Sequence, residues 1–289
     1  MRRATTNESV HSRADGSETE WLRDEVSHTI KTSHQRLSTR DVLNRFCGPD
    51  APARMVRQVI NHLVADGDLR YVNDSGISFL EPNYAGRFQL SDRVWMLPPM
   101  VSDAGMTEDA VAIRIAPGAA FGDCRHPTTR LSVRAIDFLL TGKVLPVFPT
   151  TGLDIGTGSG ILAITAARLG VEKVTAIDND PCARAEARKN IRKNGLVDRI
   201  TVSDSPASAI PSPIALVMAN LRLPTLKAFS ARIIEMLSPD GAAVFSGMEE
   251  EAAGQLLSLF QDRFHCVWHE TENGWAALVL TKTNNKATE

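Results

Sequence analysis

The sequence predicts an α/β protein in which a small α+β domain precedes a larger domain built on a doubly wound, mostly parallel sheet. The larger domain is predicted by a rhythm: after residue 150, short apolar runs alternate with helical stretches, as in sheets covered by helices on both faces. The smaller domain is predicted by three helical patterns and a hairpin signal before residue 83. A chain of 289 residues is long enough to hold both.

Residues 20–82 form the first predicted domain. Apolar residues at helical spacing predict a helix that begins near Trp21, a second over Ser38–Phe46, and a third through Val56, Val59, Ile60, Leu63 and Val64. Two strand-like runs, Leu69–Val72 and Ile77–Leu80, are separated by turn residues and predict a hairpin. Three short helices followed by a hairpin resemble a winged-helix domain.

The polar face of the third predicted helix decides which functions are open to this domain. Arg54, Arg57 and Gln58 would point away from the apolar side, where DNA-binding winged helices carry their phosphate and base contacts. A solvated helix face is the simpler interpretation, because the basic residues are few and aspartates flank them. We therefore favour a protein-contacting or dimerising module, such as a homodimer interface, over nucleic-acid binding.

Shifts in composition mark the remaining boundaries. The polar start of the chain, residues 1–19, is typical of a disordered tail. Residues 83–120 are rich in turn residues and contain two strand-like runs, so we interpret them as a connector. The larger domain is expected over residues 121–282, and residues 283–289 form a second polar tail.

Composition and charge exclude several classes of protein. The formal net charge is −2, so no global basic field marks a dedicated nucleic-acid binder. The sequence has no apolar run of membrane-spanning length and no secretory signal, which favours a cytoplasmic location. The cysteines lie far apart without C-x-x-C spacing, so we expect no metal site and no disulfide framework. These residues are Cys47, Cys124, Cys182 and Cys266.

The strands and helices of the larger domain follow in order. Strands are predicted at Gly152–Ile155, Val174–Ile177, Arg199–Val202, Ile214–Ala219, Ala242–Ser246, Cys266–His269 and Trp275–Leu280. Helices are predicted between them at Ile161–Leu169, Cys182–Asn194, Thr225–Leu237 and Glu249–Asp262. The last two strands form a hairpin, so the predicted sheet gains an antiparallel edge.

The first of these strands leads into a glycine-rich turn, Gly156–Gly160, and then into a helix. Glycine lets the backbone turn sharply and approach a ligand closely, and the free N–H groups at a helix start face that ligand. In an open α/β sheet, ligands bind at the carboxyl ends of the strands where the strand order reverses. Taken alone, the turn is equally compatible with a structural role.

An acid in the next strand sharpens this interpretation. Asp178 ends the second strand about twenty residues after the glycines, where a carboxylate accepts hydrogen bonds from both hydroxyls of a ribose. Dinucleotide-binding enzymes share that acid, but their glycines are spaced G-x-G-x-x-G. Here Gly156, Gly158 and Gly160 are spaced G-x-G-x-G and follow Asp154. This pattern resembles motif I of the class I S-adenosylmethionine-dependent methyltransferases, whose domain is a seven-stranded, Rossmann-like sheet.

That resemblance implies roles for the residues around the glycines. Asp154 would lie near the ammonium group of S-adenosylmethionine, directly or through water. Gly156 and Gly158 would leave room for the cofactor, and Asp178 would hold its ribose. Asp204, just past the third strand, is a candidate contact to the adenine amino group, with a turn residue as the alternative interpretation.

A narrower resemblance depends on several motifs together. The run Phe121–Thr129, F-G-D-C-R-H-P-T-T, precedes motif I, and the motif Ala-Asn-Leu at residues 219–221 ends the fourth strand. With L-D-I-G-T-G-S-G and A-I-D-N-D-P between them, these features resemble PrmA over about residues 90–281. PrmA is a bacterial methyltransferase family that modifies amino groups of a large-subunit ribosomal protein.

The resemblance to PrmA implies a cofactor site and a loop that covers it. Its cofactor contacts would be Thr129, Gly156, Asp178 and Asn220. The loop that bears Phe121 and His126 would close over the cofactor.

Departures from the family pattern concern the substrate more than the cofactor. The family loop F-G-T-G-x-H-x-T-T is replaced at Phe121–Cys124 by F-G-D-C, and Val144–Gly152 resembles an insertion. After Asn220 the chain continues L-R-L-P, whereas the family continues I-L-A-G-P. A winged-helix-like segment also stands where PrmA has a ferredoxin-like domain.

Methyl transfer from a sulfonium needs positioning and exclusion of water rather than a protein nucleophile or a metal. The side-chain amide of Asn220, at the end of the fourth strand, could accept a hydrogen bond from a substrate amine. Asp123 and His126 are the candidates for taking the amine proton, although His126 can equally be a structural residue of its loop. Cys124 as a nucleophile would need a lowered pKa that no sequence feature provides.

Three functions follow from these observations. The first is an S-adenosylmethionine-dependent methyltransferase of PrmA type that acts on amino groups of a protein, such as a ribosomal protein. The second is a small-molecule methyltransferase whose N-terminal domain dimerises and completes the pocket. The third is a non-catalytic winged-helix regulator that senses the cofactor.

Overall fold

The computed structural model divides the chain into two compact units, Met1–Gly86 and Arg87–Glu289. The structure describes residues 15–33, 36–49, 51–74, 76–83, 86–98 and 101–282. The predicted tail at residues 283–289 therefore lies outside the described residues, and so do residues 1–14 of the predicted tail at residues 1–19. The remaining residues of that N-terminal tail belong to the first helix.

The first unit contains three helices and a small antiparallel sheet. Its helices are α1 (Asp15–Thr32), α2 (Thr39–Phe46) and α3 (Ala53–Ala65), and its strands are β1 (Leu37–Ser38), β2 (Leu69–Asp74) and β3 (Ile77–Pro82). The strand order is β1-β3-β2. Ser38 caps α2: its hydroxyl accepts the Asp41 N–H at 3.3 Å, and the Asp41 carboxylate accepts the Ser38 N–H at 2.8 Å. The assignment to the winged-helix class stays a prediction.

The predicted connector contains a small sheet of its own. From Arg87 onward it belongs to the second unit, with strands β4 (Phe88–Gln89), β5 (Val94–Met96) and β6 (Val111–Ile113). Strand β5 pairs antiparallel with β4 and parallel with β6. The short strand-like runs of the sequence are therefore correct, whereas their pairing depends on contacts between segments that lie far apart along the chain.

The main sheet of the second unit has the predicted seven strands. They are β7 (Thr151–Ile155), β8 (Lys173–Ile177), β9 (Ile200–Ser203), β10 (Ile214–Asn220), β11 (Leu237–Glu249), β12 (Phe264–Glu272) and β13 (Trp275–Lys282). Their order is β12-β13-β11-β10-β7-β8-β9. Strand β13 is antiparallel to both of its neighbours, and the other neighbouring strands of this sheet pair in parallel. The predicted antiparallel hairpin therefore lies at one edge, with β12 outermost.

Helices flank this sheet. They are α4 (Pro127–Thr141), α5 (Ile161–Arg168), α6 (Pro181–Lys193), α7 (Leu223–Met236) and α8 (Ala253–Leu257), and single 3-10 turns lie at Ala207–Ala209 and Glu250–Ala252. Helix α8 is much shorter than the predicted span Glu249–Asp262. Its second residue is Gly254, and glycine destabilises a helix interior by roughly 0.5–1 kcal/mol relative to alanine.

The order of the strands reverses between β7 and β10. Strand β7 continues through β8 to β9 on one side, whereas β10 continues to β11 on the other. Strands β7 and β10 are almost wholly buried, because they lie inside the sheet and helices cover its faces. The carboxyl ends of these two strands, at Ile155 and Asn220, therefore open into the crevice where sheets of this kind bind ligands.

Candidate functional site

A glycine-rich turn follows β7 and forms the floor of a cleft of about 520 Å³. Gly156 and Gly158 both line this cleft, with φ angles of 73° and 53° that favour glycine. A Cβ atom on Gly158 would lie 2.5 Å from the carbonyl oxygen of Phe121, and one on Gly156 would lie 2.6 Å from Leu221 Cδ2. No larger residue fits at either position without displacing its neighbours.

Asp178 ends β8 and borders the same cleft. One carboxylate oxygen accepts the Gly158 N–H at 3.0 Å, and the other accepts the Asp180 N–H at 2.9 Å. The acid is therefore fixed against the glycine turn by backbone donors. The role of Asp178 as a ribose contact stays a prediction.

Asp154 lies one residue before the end of β7 and is fully buried. Its Oδ2 accepts the Thr157 hydroxyl at 2.6 Å and the Ala163 N–H at 3.1 Å. Burial raises the pKa of this carboxyl to about 6, against the opposing effect of those two hydrogen bonds. Its Oδ1 has no hydrogen-bond partner among the described residues. Asp154 does not line the cleft directly, so it supports the turn from beneath.

The loop at residues 121–126, here called the upstream loop, packs against the glycine turn. The Phe121 carbonyl accepts the Ser159 N–H at 2.8 Å, and the Gly122 carbonyl accepts the Ser159 hydroxyl at 2.8 Å. Phe121 lines the cleft, and its side chain remains 53% exposed. An exposed aromatic ring at the mouth of a cleft is available to cover a bound ligand.

Helix α6 anchors the segment that leads into this loop. Glu186, Asn190 and Asn194 are spaced four residues apart, so they lie on one face of the helix. The Glu186 carboxylate accepts the N–H groups of Ala119 and Ala120 at 2.8 and 3.0 Å. These two alanines also line the cleft, so a side chain on α6 fixes one of its walls.

The two asparagines extend this attachment. Asn190 accepts the Ala116 N–H at 3.0 Å and donates to the Ser159 carbonyl at 2.8 Å. Asn194 accepts the Arg114 N–H at 3.0 Å and donates to the Arg114 carbonyl at 2.8 Å. The lead-in segment, residues 114–120, is therefore held along its length by one helix face.

His126 ends the upstream loop and caps α4. Its Nδ1 accepts the Thr128 N–H at 3.3 Å, and its ring lies between Phe121 and Trp275, with ring centroids 5.2 and 4.8 Å away. Burial and then the charge of Arg130 lower the pKa of the imidazole, which favours its neutral form. The structural interpretation of His126 is thus supported by the contacts of both its ring and its nitrogen.

A buried ion cluster holds the upstream loop from below. Arg130 on α4 pairs with Glu272 and donates to the carbonyl oxygens of Cys124 and Arg125 at 2.8 and 2.7 Å. Arg134, one turn further along α4, pairs with the other oxygen of Glu272. The loop conformation therefore depends on the end of β12, a strand remote in sequence.

The two residues that depart from the family loop have contrasting environments. Asp123 is partly exposed and pairs with Arg125, with Oδ2 and Nε 3.3 Å apart. Cys124 is fully buried and has a φ of 70°, in the left-handed region that the family's glycine adopts readily. Burial, and then the charge of Asp123, raise the pKa of its thiol, which is the opposite of what a cysteine nucleophile needs.

Of the remaining predicted residues, Asn220, Thr129 and Asp204, only Asn220 lines the cleft. Asn220 lines it at the end of β10, and its Oδ1 is buried without a partner among the described residues. Thr129, fully buried in the first turn of α4, also has a hydroxyl without a described partner. Asp204 is exposed beside Arg184, at 3.6 Å between Oδ2 and Nη2, and only its neighbours Ser205 and Pro206 line the cleft.

Sequence reasoning missed the residues that position the upstream loop. Arg130 and Glu272 could not be paired from the sequence, because 142 residues separate them. Glu186, Asn190 and Asn194 carried a signal that was overlooked: three polar residues at four-residue spacing on the predicted helix Cys182–Asn194. A helix that covers a sheet and keeps such a row on one face has a polar partner there.

Two other features of the described residues bear on the chemistry. Across the described ranges, no group of three or more histidine, cysteine, aspartate or glutamate side chains is arranged to hold a metal ion. No helix in the same part of the chain has the length and apolar character needed to cross a bilayer.

The strand order, the glycine turn and Asp178 together define the α/β methyltransferase fold, a mixed sheet of seven strands. The chain is similar to the crystal structure of a ribosomal protein L11 methylase from Lactobacillus delbrueckii subsp. bulgaricus. The two have a TM-score of 0.61 and 26% identity, covering 68% of this chain and 99% of the other. A family model described as ribosomal protein L11 methyltransferase (PrmA) matches residues 81–283. The chain belongs to this family.

Two curated relatives are similar over the same portion of the chain. A ribosomal protein L11 methyltransferase of Pelobacter propionicus is 35% identical over 207 residues, 70% of this chain and 63% of the relative. One of Nitrosomonas europaea is 34% identical over 205 residues, 68% of this chain and 63% of the relative. The chain thus spans less than two thirds of the length of these relatives, and the family match leaves out residues 1–80.

Proposed function

We propose that this protein is an S-adenosylmethionine-dependent methyltransferase that modifies amino groups of a protein substrate. The observation that carries the proposal is a set of buried oxygen atoms without partners among the described residues: Thr129 Oγ1, Asp154 Oδ1 and Asn220 Oδ1. Buried polar atoms are nearly always hydrogen-bonded, so an unpartnered oxygen beside a cleft suits a polar ligand; of these three residues Asn220 lines the cleft, whereas Thr129 and Asp154 do not. All three belong to residues predicted to contact the cofactor.

The residues around the cleft fit each part of this cofactor. Asp178, already oriented by two backbone N–H groups, would accept the ribose hydroxyls. Asp154 would compensate the ammonium group, directly or through water, and Thr129 would provide a further hydrogen bond at that end. Gly156 and Gly158 line the cleft, and a Cβ atom at either position would collide with Leu221 or with the Phe121 carbonyl oxygen, so the turn keeps its shape only with glycine there. Asp204 remains a candidate for the adenine contact, provided that its exposed side chain adopts another rotamer.

The chemistry of the reaction assigns Asn220 a positioning role next to the acceptor. When bound, the cofactor supplies a methyl group on a sulfonium centre. The Oδ1 of Asn220 would accept an N–H from the substrate amine and thereby aim the nitrogen lone pair along the line of transfer. Ala119, Ala120 and Phe121 would exclude water from that line.

An amine acceptor must lose a proton, and the two candidates differ. Asp123 keeps a carboxylate that is 44% exposed, whereas Nδ1 of His126 is engaged by Thr128. We therefore assign the proton-accepting role to Asp123 and a loop-positioning role to His126. Exchange of Asp123 for asparagine should shift the pH profile of kcat, whereas exchange of His126 should act mainly on cofactor binding.

The substrate is proposed from the family. Relatives are named for ribosomal protein L11, and we propose a protein of this type as the methyl acceptor, modified in the cytoplasm. The first unit, which lies outside the family match up to residue 80, would be a second contact surface, either for a macromolecule or for a second copy of the chain. We retain the winged-helix assignment for it.

Transfer of a radiolabelled methyl group to a cell extract tests this function. Label on a protein of ribosomal-protein size that is lost in an Asn220→Ala variant supports the proposal. Label confined to the small-molecule fraction would replace it with a small-molecule methyltransferase. Cofactor binding without any transfer would replace it with a cofactor sensor.

A further inference from the structure

The exposed face of α3 is a charged feature that the proposed methyl transfer does not use. Arg54, Arg57, Gln58 and Asn61 recur at helical spacing and line a shallow depression of about 580 Å³. The opposite side of the helix is buried in the core of the first unit through Val56, Val59, Ile60 and Leu63. Packing of that side therefore fixes the four polar residues in one row.

The described arginines of the first unit fall into two groups: three pair with carboxylates, whereas Arg40 and Arg45 on α2 and Arg54 and Arg57 on α3 form no ion pair with a described residue. Arg23, Arg36 and Arg70 pair with carboxylates. Arg54 and Arg57 form no ion pair or hydrogen bond with any residue that the structure describes, and α3 contains no acidic residue. Like charges at this spacing destabilise a helix by roughly 0.2–0.5 kcal/mol, so an anionic partner would relieve a repulsion that the unit leaves uncompensated.

The two aspartates that follow α3 are engaged by another arginine. Asp66 and Asp68 follow the helix, and each accepts a hydrogen bond from Arg23 on α1 at 2.7 Å. In the sequence, flanking aspartates favour a solvated face because they would offset the charges of Arg54 and Arg57. Because Arg23 engages them, the row on α3 keeps its positive charge.

The chemistry of the row selects the class of partner. A protein interface usually has an apolar or aromatic core, but the depression is lined only by arginine and amide side chains. Its lining also lacks an aromatic ring on which a single-stranded base could stack. From its first to its last residue the row extends about 10 Å along the helix, and the major groove of B-form DNA, about 12 Å wide, admits a helix.

We infer that this face of α3 binds a double-stranded nucleic acid through its phosphates. The Arg54 and Arg57 guanidinium groups would donate to phosphate oxygens, which they match in planar, two-pronged geometry. Gln58 and Asn61 carry both donors and acceptors, so they would contact phosphates or base edges beside the arginines. Duplex DNA and duplex RNA share this backbone chemistry.

Fluorescence anisotropy of labelled duplexes with the full-length chain tests the inference. Duplex DNA and duplex RNA of one sequence are titrated at several salt concentrations. In an Arg54→Ala/Arg57→Ala variant we expect affinity to fall about tenfold or more and the slope of log K against log salt to decrease by about two. The duplex that binds more tightly, DNA or RNA, is identified as the partner.

The matched control is Arg36→Ala/Arg70→Ala, which removes the same charge from paired arginines of the same unit. Circular dichroism and cofactor binding verify that each variant folds. The inference holds if the control binds like wild type. It is overturned if both variants weaken equally, if wild type binds neither duplex at low salt, or if polyglutamate competes as well as the duplex.

Discussion

The two loops that border the cleft are fixed by opposite means. The glycine turn after β7 depends on neighbours: Asp154 beneath it and Asp178 beside it lie within about one strand-helix-strand unit. The upstream loop and the lead-in segment before it depend on side chains far along the chain: Glu272 on β12 holds Arg130 beneath the loop, and Glu186 on α6 holds the lead-in segment. The first loop is therefore a local structure that needs small residues, and the second is a tertiary structure that needs remote polar partners.

This difference has a consequence for how each loop fails. Truncation of the Asp178 side chain beside the glycine turn should alter the ligand-binding surface and leave the fold in place. Substitutions at the attachments of the upstream loop should loosen the fold and affect the ligand only as a result. Four substitutions test this difference between the two loops.

Removal of the Arg130 guanidinium should have the largest effect. An Arg130→Met variant leaves the buried Glu272 carboxylate with only Arg134, and breaking a buried ion pair costs about 3–5 kcal/mol of unfolding free energy. Urea denaturation measures the loss. The control Arg125→Met removes an exposed arginine of the same loop and should cost about 1 kcal/mol or less. Equal losses in both variants would contradict a special role for the buried cluster.

Asp178→Ala should have the next largest effect, on binding rather than stability. We expect at least about a hundredfold loss of S-adenosylmethionine affinity, since two charge-assisted hydrogen bonds to a ribose would disappear. Isothermal titration calorimetry provides the measurement. Asp198→Ala, which removes an exposed aspartate after α6, should bind normally. Wild-type affinity in Asp178→Ala would refute the assignment of the ribose contact.

Asp154 should reveal a compromise between stability and binding. Its pKa in the folded protein, about 6, lies above the value near 3.9 of an unfolded aspartate, so ionisation opposes folding. The destabilisation is absent below about pH 4, grows between pH 4 and 6, and is complete above pH 6. Asp154→Asn should therefore stabilise the cofactor-free protein by about 1–3 kcal/mol at neutral pH.

The same Asp154→Asn substitution should weaken cofactor binding, because it removes the charge that faces the ammonium group. Denaturation curves between pH 4 and 8 measure the stability, and calorimetry measures the affinity. A stability gain that did not change with pH would show that desolvation of the carboxylate is not its cause.

Glu186→Ala should have the smallest effect, and an indirect one. Loss of the two bonds to Ala119 and Ala120 would let one wall of the cleft move, and we expect cofactor affinity to fall about tenfold. Glu186→Gln retains an acceptor and should recover part of the loss. Glu172→Ala, on an exposed residue, is the control. An unchanged Kd in Glu186→Ala would mean that the wall holds without α6.

The contrast between the loops also explains what the sequence could predict. The strands, the glycine turn and Asp178 follow from patterns only a few residues long, and the structure agrees with them. The attachment by Glu186 and the Arg130–Glu272 pair depend on which helix and which strand end meet the upstream loop. The strand order decides which strand end lies beneath the loop, because β12 joins the sheet by pairing with β13. Neither contact leaves a local pattern in the upstream loop.

The buried thiol of Cys124 makes the movement of the upstream loop measurable. Cys47, Cys182 and Cys266 are exposed and would react at once with a thiol reagent, whereas Cys124 can react only when its loop detaches from Arg130. The rate of the slow labelling phase would therefore report the rate at which the loop opens in the unmodified chain. A ligand that closes the cleft would lower the labelling rate of Cys124, so its occupancy could be followed without any attached probe.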